Sequence, residues 1–422
     1  MARAPSPVEF LAVAEKSKLL HPVALEPYRG AVDRYATADE LAAAMTAEGL
    51  LTKFQADHLR QGKWQGFFLG TYKMLEKIGS GGSAVVYLAE HVRLKQRVAI
   101  KVLSHQKAAD AEALGRFERE AKAAAAVRHP NIVHAFDVAT EGRVHYMVME
   151  YVDGVTLVKA LTDGGRMAPR RVARLMRQAA LGLHAAHQAG IVHRDVKPSN
   201  LMIATDGVVK VMDLGLARYE ADELSLTQGK AVLGLAAYTA PEQMRENATV
   251  DARTDVYALG ATFYLVAAGM PPPVVGVPAP TVAARAPAEV GDFRKLMSVV
   301  ERMMAVVPED RYQSMADVAA ALSVSGLLDP KTAKAAPPRP AEQAVGETPK
   351  PASDTAEVTP FSLEDRMRGL FDSLGPVTSE PEAEVEDERP PVAPRPPHPA
   401  RQWVAAGATF ALVLALLFIL AR

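Results

Sequence analysis

The spacing of apolar residues changes along the chain and divides it into regions of different predicted structure. In residues 1–70, apolar side chains recur at helical spacing behind three capping signals, which begin at Ser6, Thr37 and Thr52 and each place a Glu or Gln three residues later. We predict about three short helices that form a small module, a structural or regulatory extension ahead of the main domain. Its predicted core consists of Leu41, Met45, Leu50, Leu51, Phe54 and Leu59.

From residue 72 onward the pattern becomes typical of β-strands. Short runs rich in β-branched and aromatic residues predict strands at 73–78, 85–91 and 97–103, and a helix is predicted at about 109–127. A glycine-rich turn joins the first two strands. A dinucleotide-binding glycine motif would be followed by a helix, whereas this turn is followed by a strand. The turn consists of Gly79, Ser80, Gly81, Gly82, Ser83 and Ala84.

The glycine turn and Lys101 together predict a phosphate-binding site. Lys101 ends the run Val-Ala-Ile-Lys in the third strand, and this order is typical of a nucleotide lid with its phosphate-binding lysine. Glycine suits the turn because a Cβ would collide with phosphate oxygens, and lysine supplies a compact charge on a long stem. Glu120, on the predicted helix, is expected to pair with Lys101 and fix its position.

Two polar motifs follow. Residues 193–200 are His-Arg-Asp-Val-Lys-Pro-Ser-Asn, and residues 213–215 are Asp-Leu-Gly. Further motifs are His-Pro-Asn-Ile-Val at 129–133, Ala-Pro-Glu-Gln at 240–243 and Asp-Ala-Arg-Thr-Asp-Val-Tyr at 251–257.

On these motifs, residues 72–322 resemble a eukaryotic-like serine/threonine protein kinase of the bacterial type. The resemblance implies an α+β, bilobal fold with a β-rich N-lobe and a helical C-lobe, and it implies ATP and Mg²⁺ as cofactors. Lys197 is typical of the serine/threonine class, since tyrosine kinases lack a lysine there. Protein hydroxyls are therefore the expected phosphate acceptors.

The resemblance also implies a role for each motif residue. Asp195 would accept or orient the substrate hydroxyl proton, and Lys197 would neutralise charge on the transferred phosphoryl group. Asn200 and Asp213 would hold magnesium. Lys101, positioned by Glu120, would bind the α- and β-phosphates.

Adenine would lie between apolar side chains of the two lobes. Met149 resembles the gatekeeper, and the backbones of Glu150 and Val152 resemble the hinge that hydrogen-bonds adenine. For each apolar residue of this set, ordinary core packing is the competing interpretation. The complete predicted ATP-binding set is Ile78, Gly79, Ser80, Gly81, Gly82, Val86, Ala99, Lys101, Glu120, Met149, Glu150, Val152 and Met202.

Three further family features are structural or regulatory. Glu242 and Arg311 resemble a buried ion pair of the C-lobe, and Asp255 resembles the anchor of the catalytic loop. Arg194 resembles the arginine that receives a phosphate from the activation segment, for which Ser225 and Thr227 are the candidate acceptors. The alternative is that Ser225 and Thr227 are simply polar loop residues.

The sequence departs from the family at three positions. Ala84 replaces a glycine of the lid, and Leu214 replaces the usual phenylalanine with a similar apolar volume. Leu235 occupies the place of a threonine that normally hydrogen-bonds the catalytic aspartate and lysine. Leu235 therefore favours the alternative of a nucleotide-binding pseudokinase or membrane-tethered scaffold, whereas the intact catalytic residues favour an active kinase.

Composition adds two exclusions. With 48 Lys and Arg against 49 Asp and Glu, the net charge is −1, which argues against a nucleic-acid partner because such a protein needs a basic field. The chain has no cysteine, so disulfides, Cys-ligated zinc, iron–sulfur clusters and thiol catalysis are excluded.

The C-terminal part differs again. Residues 329–402 are rich in proline and acidic residues and predict a disordered tether. Within them, residues 361–375 carry apolar side chains at helical spacing and form a candidate docking segment for a partner. Residues 403–421 carry no charge and are long enough, as a helix, to span a bilayer. We expect a single-pass anchor in the cell membrane with a cytoplasmic kinase domain, and a homodimer is a further candidate assembly for autophosphorylation.

Overall fold

The computed structural model of the protein describes residues 5–214, 237–245, 250–270, 272 and 287–328. Its N-terminal module contains four α-helices rather than three. The one not anticipated is the second, which starts at Pro22 behind His21, whose Nδ1 accepts a hydrogen bond from the Val23 amide at 3.4 Å. The helices are α1 (Pro7–Ser17), α2 (Pro22–Arg29), α3 (Ala38–Ala47) and α4 (Lys53–Arg60), with a 3₁₀ turn at Val32–Arg34.

Two of the three predicted capping boxes are complete. The Ser6 side chain accepts a hydrogen bond from the Glu9 amide, and the Glu9 side chain accepts one from the Ser6 amide. Thr52 and Gln55 exchange the same two hydrogen bonds. At Thr37 the box is half-formed, because the Glu40 carboxylate accepts from the Ala36 amide instead.

The module contains two copies of one helix–turn–helix unit. In each copy a helix ends, two leucines follow, and a capping residue starts the next helix: Leu19 and Leu20 before His21, then Leu50 and Leu51 before Thr52. In this alignment Val23 of α2 corresponds to Phe54 of α4. The shared core of the two copies includes Phe10, Leu11, Leu25, Leu41, Met45 and Leu59.

Next comes an antiparallel sheet of six strands in the order β1-β2-β3-β4-β6-β5. The three strands predicted from sequence are confirmed to within two residues at either end. Since β1 pairs with β2, it joins the module directly to the sheet. The strands are β1 (Phe68–Leu69), β2 (Tyr72–Ser80), β3 (Ala84–His91), β4 (Arg97–Leu103), β5 (Ala135–Glu141) and β6 (Val144–Glu150).

The N-terminal module covers one face of this sheet, which we call the outer face. Side chains alternate between faces along a strand, and the outer-face residues Tyr87, Ile100 and Val148 are fully buried. Phe54 of α4 packs on them, its ring 5.9 Å from that of Tyr87. The buried amide of Gln55 donates to the Met74 carbonyl at 2.7 Å.

The opposite, inner face carries several of the residues predicted to bind ATP. Cross-strand pairs put Val86 beside Lys101 and Ala99 beside Met149, and directly paired residues share a face. Part of this face is covered by α6 (Ala111–Ala126), which follows the short α5 (His105–Ala108). The α6 cluster contains Leu103, Phe117, Ala121, Ala135 and Met147.

The remaining described residues form a helical lobe around α9, which is buried along most of its length. A three-stranded sheet lies beside residues 193–200, which the family resemblance assigns as the catalytic loop. The predicted division into a β-rich N-lobe and a helical C-lobe is thus confirmed. The elements are β7 (Gly154–Thr156), α7 (Leu157–Gly164), α8 (Pro169–Gln188), β8 (Leu201–Ala204), β9 (Val209–Val211), α9 (Ala252–Ala268), α10 (Pro287–Met303) and α11 (Met315–Val324).

The expected ion pair of the C-lobe is present. Arg311 is fully buried and donates to both Glu242 carboxylate oxygens, at 2.7 and 2.8 Å. Its remaining donors reach the carbonyls of Ala305, Arg253 and Val306, at 2.7 to 3.2 Å. A buried guanidinium needs such full satisfaction because its desolvation is costly.

Several predictions fall outside the described residues. They concern Ser225, Thr227 and Leu235, the tether at 329–402 with its docking segment at 361–375, and the anchor at 403–421. Of the helices within the described ranges, none has both the length and the apolar character that crossing a bilayer requires.

The docking of the module predicts a measurable effect at Phe54. Phe54→Ala should lower the free energy of unfolding by about 2 kcal/mol, because it uncovers apolar surface on the outer face of the sheet. Val23→Ala is the matched control, since Val23 is the equivalent position in the first repeat but is 70% exposed. Urea denaturation of the full chain measures both variants, and equal effects would contradict the packing described here.

Candidate active site

The catalytic loop is fixed from below by Asp255 on α9. This fully buried carboxylate accepts hydrogen bonds from the backbone amides of His193 and Arg194, at 2.8 and 2.7 Å. Arg194 has φ +65°, a left-handed conformation that costs a non-glycine residue on the order of 1 kcal/mol or more. Hydrogen bonds to an ionised acceptor are strong enough to offset that strain.

His193 connects the loop to the strand that precedes Asp213. Its Nε2 donates to the Met212 carbonyl at 2.9 Å, and its Nδ1 accepts from the Asp195 amide at 3.3 Å. These two contacts fix one neutral tautomer of the ring, since one nitrogen must donate and the other accept. Asp195 and Asp213 are thereby positioned relative to each other by a single buried side chain.

Around Asp195 the structure brings together three of the predicted site residues. Lys197 Nζ lies 2.7 Å from Asp195 Oδ2. The Asn200 amide donates to the Asp195 carbonyl at 2.9 Å and contacts its carboxylate at 3.3 Å. A carboxylate held in this position can accept a proton from a substrate hydroxyl.

A second group joins the lobes through Lys101. Its Nζ lies 2.6 Å from Glu120 Oε1 on α6 and 2.9 Å from Asp213 Oδ1. Burial alone would lower the pKa of Lys101, but the charges and hydrogen bonds of Asp213 and Glu120 raise that pKa above its ordinary value. Burial by itself would raise the pKa of Asp213, but the charge and hydrogen bond of Lys101 hold that pKa below its usual range. The ammonium and the Asp213 carboxylate therefore both stay charged.

Three of the predicted adenine residues lie on the inner face of the six-stranded sheet. Ala99 is buried, and Val86 and Met149 are half-buried on the inner face. Ile78 is 42% exposed and lies where the pairing register of β2 with β3 shifts. Met202 lies half-buried on β8.

The hinge residues have different surroundings. Val152 is buried. The Glu150 carboxylate lies 2.5 Å from Lys210 Nζ on β9, and the Glu150 amide donates to the His134 carbonyl. With its side chain engaged by Lys210, Glu150 would contact adenine through its carbonyl.

The glycine turn fits a phosphate-bearing ligand. The Gly81 amide donates to the Ala84 carbonyl, which closes the turn between β2 and β3. A Cβ added at Gly79 or Gly81 would meet neighbours at ordinary contact distance, and one added at Gly82 would meet nothing within 4 Å. Neither packing nor a positive φ requires glycine here, and the open space at Gly82 leaves room for close approach of a group from outside the chain.

The donor set fits magnesium as well. Asp213 and Asn200 supply carboxylate and amide oxygens, which a hard cation prefers. The Met212 amide donates to the Asn200 carbonyl at 2.9 Å, so the segments carrying the two ligands are joined directly.

One supporting residue was missed from the sequence. His187 on α8 donates from Nε2 to Asp255 at 2.7 Å, 68 residues away. Its spacing on the helix is that of an ordinary core residue, so no local pattern could have identified it.

Comparison with known proteins agrees with this geometry. Residues 72–283 match the family described as protein kinase domain. Serine/threonine-protein kinase PknB of Mycobacterium leprae is 42% identical over 263 residues, which cover 60% of this chain and 42% of that protein. The corresponding kinase of Mycobacterium tuberculosis is 43% identical over 264 residues, with the same coverage.

Of two further matches, one covers less of this chain and the other has a lower sequence identity. Serine/threonine-protein kinase PrkC of Bacillus subtilis is 41% identical over 203 residues, which cover 48% of this chain and 31% of that protein. The crystal structure of the Mycobacterium tuberculosis PknI kinase domain, in a double-mutant form, is 29% identical with a TM-score of 0.50, and the match covers 62% of this chain and 98% of that one. The chain spans about two fifths of the length of the PknB relatives. Its fold, its site and a family match over half of its length identify the chain as a member of the protein kinase family.

Proposed function

We propose that the protein is a serine/threonine protein kinase that transfers the γ-phosphate of ATP to hydroxyl groups of proteins. One observation carries the proposal: the Lys101, Glu120 and Asp213 group and the Asp195, Lys197 and Asn200 group are both assembled, with contacts of 2.6 to 3.3 Å. The names of the PknB and PrkC relatives support the serine/threonine class.

The chemistry assigns one task to each side chain. The substrate oxygen attacks the γ-phosphorus, the bond from that phosphorus to the bridging oxygen of ADP breaks, and the hydroxyl proton passes to Asp195. Lys197 stabilises charge on the transferred group, and Lys101 binds the α- and β-phosphates. Mg²⁺, held by Asn200 and Asp213, would supply neutralising charge at the phosphates.

Regulation by phosphorylation belongs to the same proposal. Arg194 directly precedes Asp195 in the chain, and Ser225 and Thr227 are the proposed acceptors in the activation segment. A homodimer would allow one copy to phosphorylate the other. Residues 361–375 would dock a partner. These assignments rest on the sequence.

We further propose that residues 403–421 anchor the protein in the cell membrane, with the kinase domain in the cytoplasm. The support is the uncharged run of 19 residues between Arg401 and Arg422, with Trp403 at its start.

The first experiment tests phosphotransfer. Lys101→Met and Asp195→Asn should each lower the turnover number by about two to four decades, because each removes a charge on which the transfer depends. Autophosphorylation with Mg-ATP, with modified residues mapped by mass spectrometry, measures the loss and tests Ser225 and Thr227. Lys53→Met and Asp57→Asn, at an exposed ion pair of α4, are the matched controls. A folded wild-type protein without phosphotransfer would instead support the pseudokinase alternative that Leu235 suggests.

The second experiment tests the pH dependence of ATP binding. Burial raises the pKa of Glu120 to about 7, and the Asp213 charge adds to this effect while Lys101 opposes it. Below that pH the carboxyl gains a proton and Lys101 loses one of its two anionic partners. The KM for ATP should therefore rise several-fold as the pH falls from about 8 to about 6.

The control for that experiment is Glu120→Gln, in which this group cannot titrate. Its KM for ATP should be high, and it should change with pH only as far as ATP itself titrates, an effect that both proteins share. Parallel pH profiles for the two proteins would refute the role given to Glu120.

The third experiment tests the anchor. Deletion of residues 403–422 should move the protein from the membrane fraction to the soluble fraction, because about 19 apolar residues supply the insertion energy. Activity toward a soluble acceptor should stay unchanged. Membrane association that persists in the truncated protein through an alkaline wash would disprove the proposed anchor.

A further inference from the structure

A largely buried ion pair joins two segments that the nucleotide would contact. Lys210 Nζ on β9 lies 2.5 Å from the Glu150 carboxylate at the end of β6. The Lys210 side chain is 14% exposed and the Glu150 side chain is 30% exposed, so each charge has lost much of its contact with water. Removal of either partner would leave the other charge uncompensated at this depth, which is costly.

Each partner adjoins a different part of the proposed ATP site. Glu150 would contact adenine through its backbone carbonyl. Lys210 lies three residues before Asp213, the proposed magnesium ligand that pairs with Lys101 at 2.9 Å. The ion pair therefore connects the segment proposed to bind the base with the segment proposed to bind the metal and the phosphates.

Strand β9 is held on both sides of Lys210. The Val211 amide donates to the Asn131 carbonyl at 2.9 Å. The fully buried Asn131 donates from its side-chain amide to the Val209 carbonyl at 2.8 Å. Because both neighbours of Lys210 are bonded to one residue, the Lys210 ammonium has a defined position relative to Asp213.

The Glu150 end of the ion pair is held by the same segment. Glu150 Oε2 lies 3.4 Å from the amide nitrogen of His134, and the Glu150 amide donates to the His134 carbonyl at 2.9 Å. His134 follows Asn131 by three residues, so this short segment supports both partners of the ion pair. The contact between Lys210 and Glu150 then joins the hinge directly to β9.

We propose that Lys210 is a positioning residue for ATP. Through its ion pair with Glu150 it fixes the separation between the hinge and the group of Lys101 and Asp213, so that a single nucleotide can occupy both. The inference rests on the proposed kinase function and adds a residue outside the predicted ATP-binding set. Two half-sites at a fixed separation bind a ligand that spans them more tightly than either of its parts, because the second contact is made intramolecularly.

The test compares a whole nucleotide with its parts. The ligands are an ATP analogue with an imido bridge between the β- and γ-phosphates, adenosine, and inorganic triphosphate, each with Mg²⁺ and the full-length protein. Displacement of a fluorescent nucleotide, calibrated for each variant, gives the three Kd values. Lys210→Met should raise the Kd of the ATP analogue by at least about tenfold, because a charge-assisted contact is lost. The Kd values of adenosine and triphosphate should change by less than about threefold, because each half-site keeps its own residues.

Three variants and a control locate the effect in the ion pair. Lys210→Arg keeps a cation opposite Glu150 and should stay within about threefold of the wild-type Kd for the ATP analogue. Glu150→Gln should weaken the analogue in the same direction as Lys210→Met, and the double variant should bind no more weakly than Lys210→Met alone, because both changes remove one interaction. Lys159→Met, at the exposed pair of Lys159 and Asp163 on α7, is the matched control and should keep all three wild-type values.

The outcomes separate the two levels of inference. A folded Lys210→Met variant with the wild-type Kd for the ATP analogue would overturn the positioning role alone, and so would an equal loss of affinity for the analogue and both of its parts. If Lys210→Met does not fold, the same comparison on Glu150→Gln decides. A wild-type protein that binds neither the analogue nor its parts in the presence of Mg²⁺ would overturn the kinase proposal and this inference together.

Discussion

The placement of Lys101 between two carboxylates is the interaction on which the site depends. A largely buried ammonium is costly unless paired, and here one partner comes from α6 and the other from the segment after β9. Strand, helix and C-lobe segment are thus held together by one charge. Glu120 lies on α6, whose Phe117 and Ala121 pack against Leu103, Ala135 and Met147 of the sheet. The position of the whole helix relative to the sheet is therefore part of this arrangement.

A second buried charge has the same function in the C-lobe. Asp255 holds the backbone of the catalytic loop in a conformation that Arg194 would otherwise avoid, and His187 satisfies its remaining hydrogen-bonding capacity. His193 then relates Asp195 to Met212 and so to Asp213. The two groups of the site are therefore not independent, since Asp213 belongs to one through Lys101 and is linked to the other through His193.

The sequence predicted the features that short-range chemistry determines. The strands around the glycine turn, the capping at Ser6 and Thr52 and the pairing of Lys101 with Glu120 follow from local patterns or from the family motifs that contain them. The second helix, α2, was missed because His21 is an uncommon capping residue. The bond from His187 to Asp255 and the docking of Phe54 on the sheet were missed for another reason: they join residues that are distant in the chain, and no periodicity records such contacts.

The covered outer face explains why the strands carry apolar residues on both sides. A sheet with one solvated face alternates apolar and polar residues, whereas residues 85–89, Val-Val-Tyr-Leu-Ala, include no charged or amide side chain. Ile100 faces the outer cluster and the adjacent Lys101 faces the cleft. Close packing of Ile100 in the outer cluster restrains the backbone that carries Lys101, so the module supports the position of the Lys101 side chain through the strand. The module is in this sense coupled to the proposed ATP site, although its helices end at Arg60 and contribute no residue to that site.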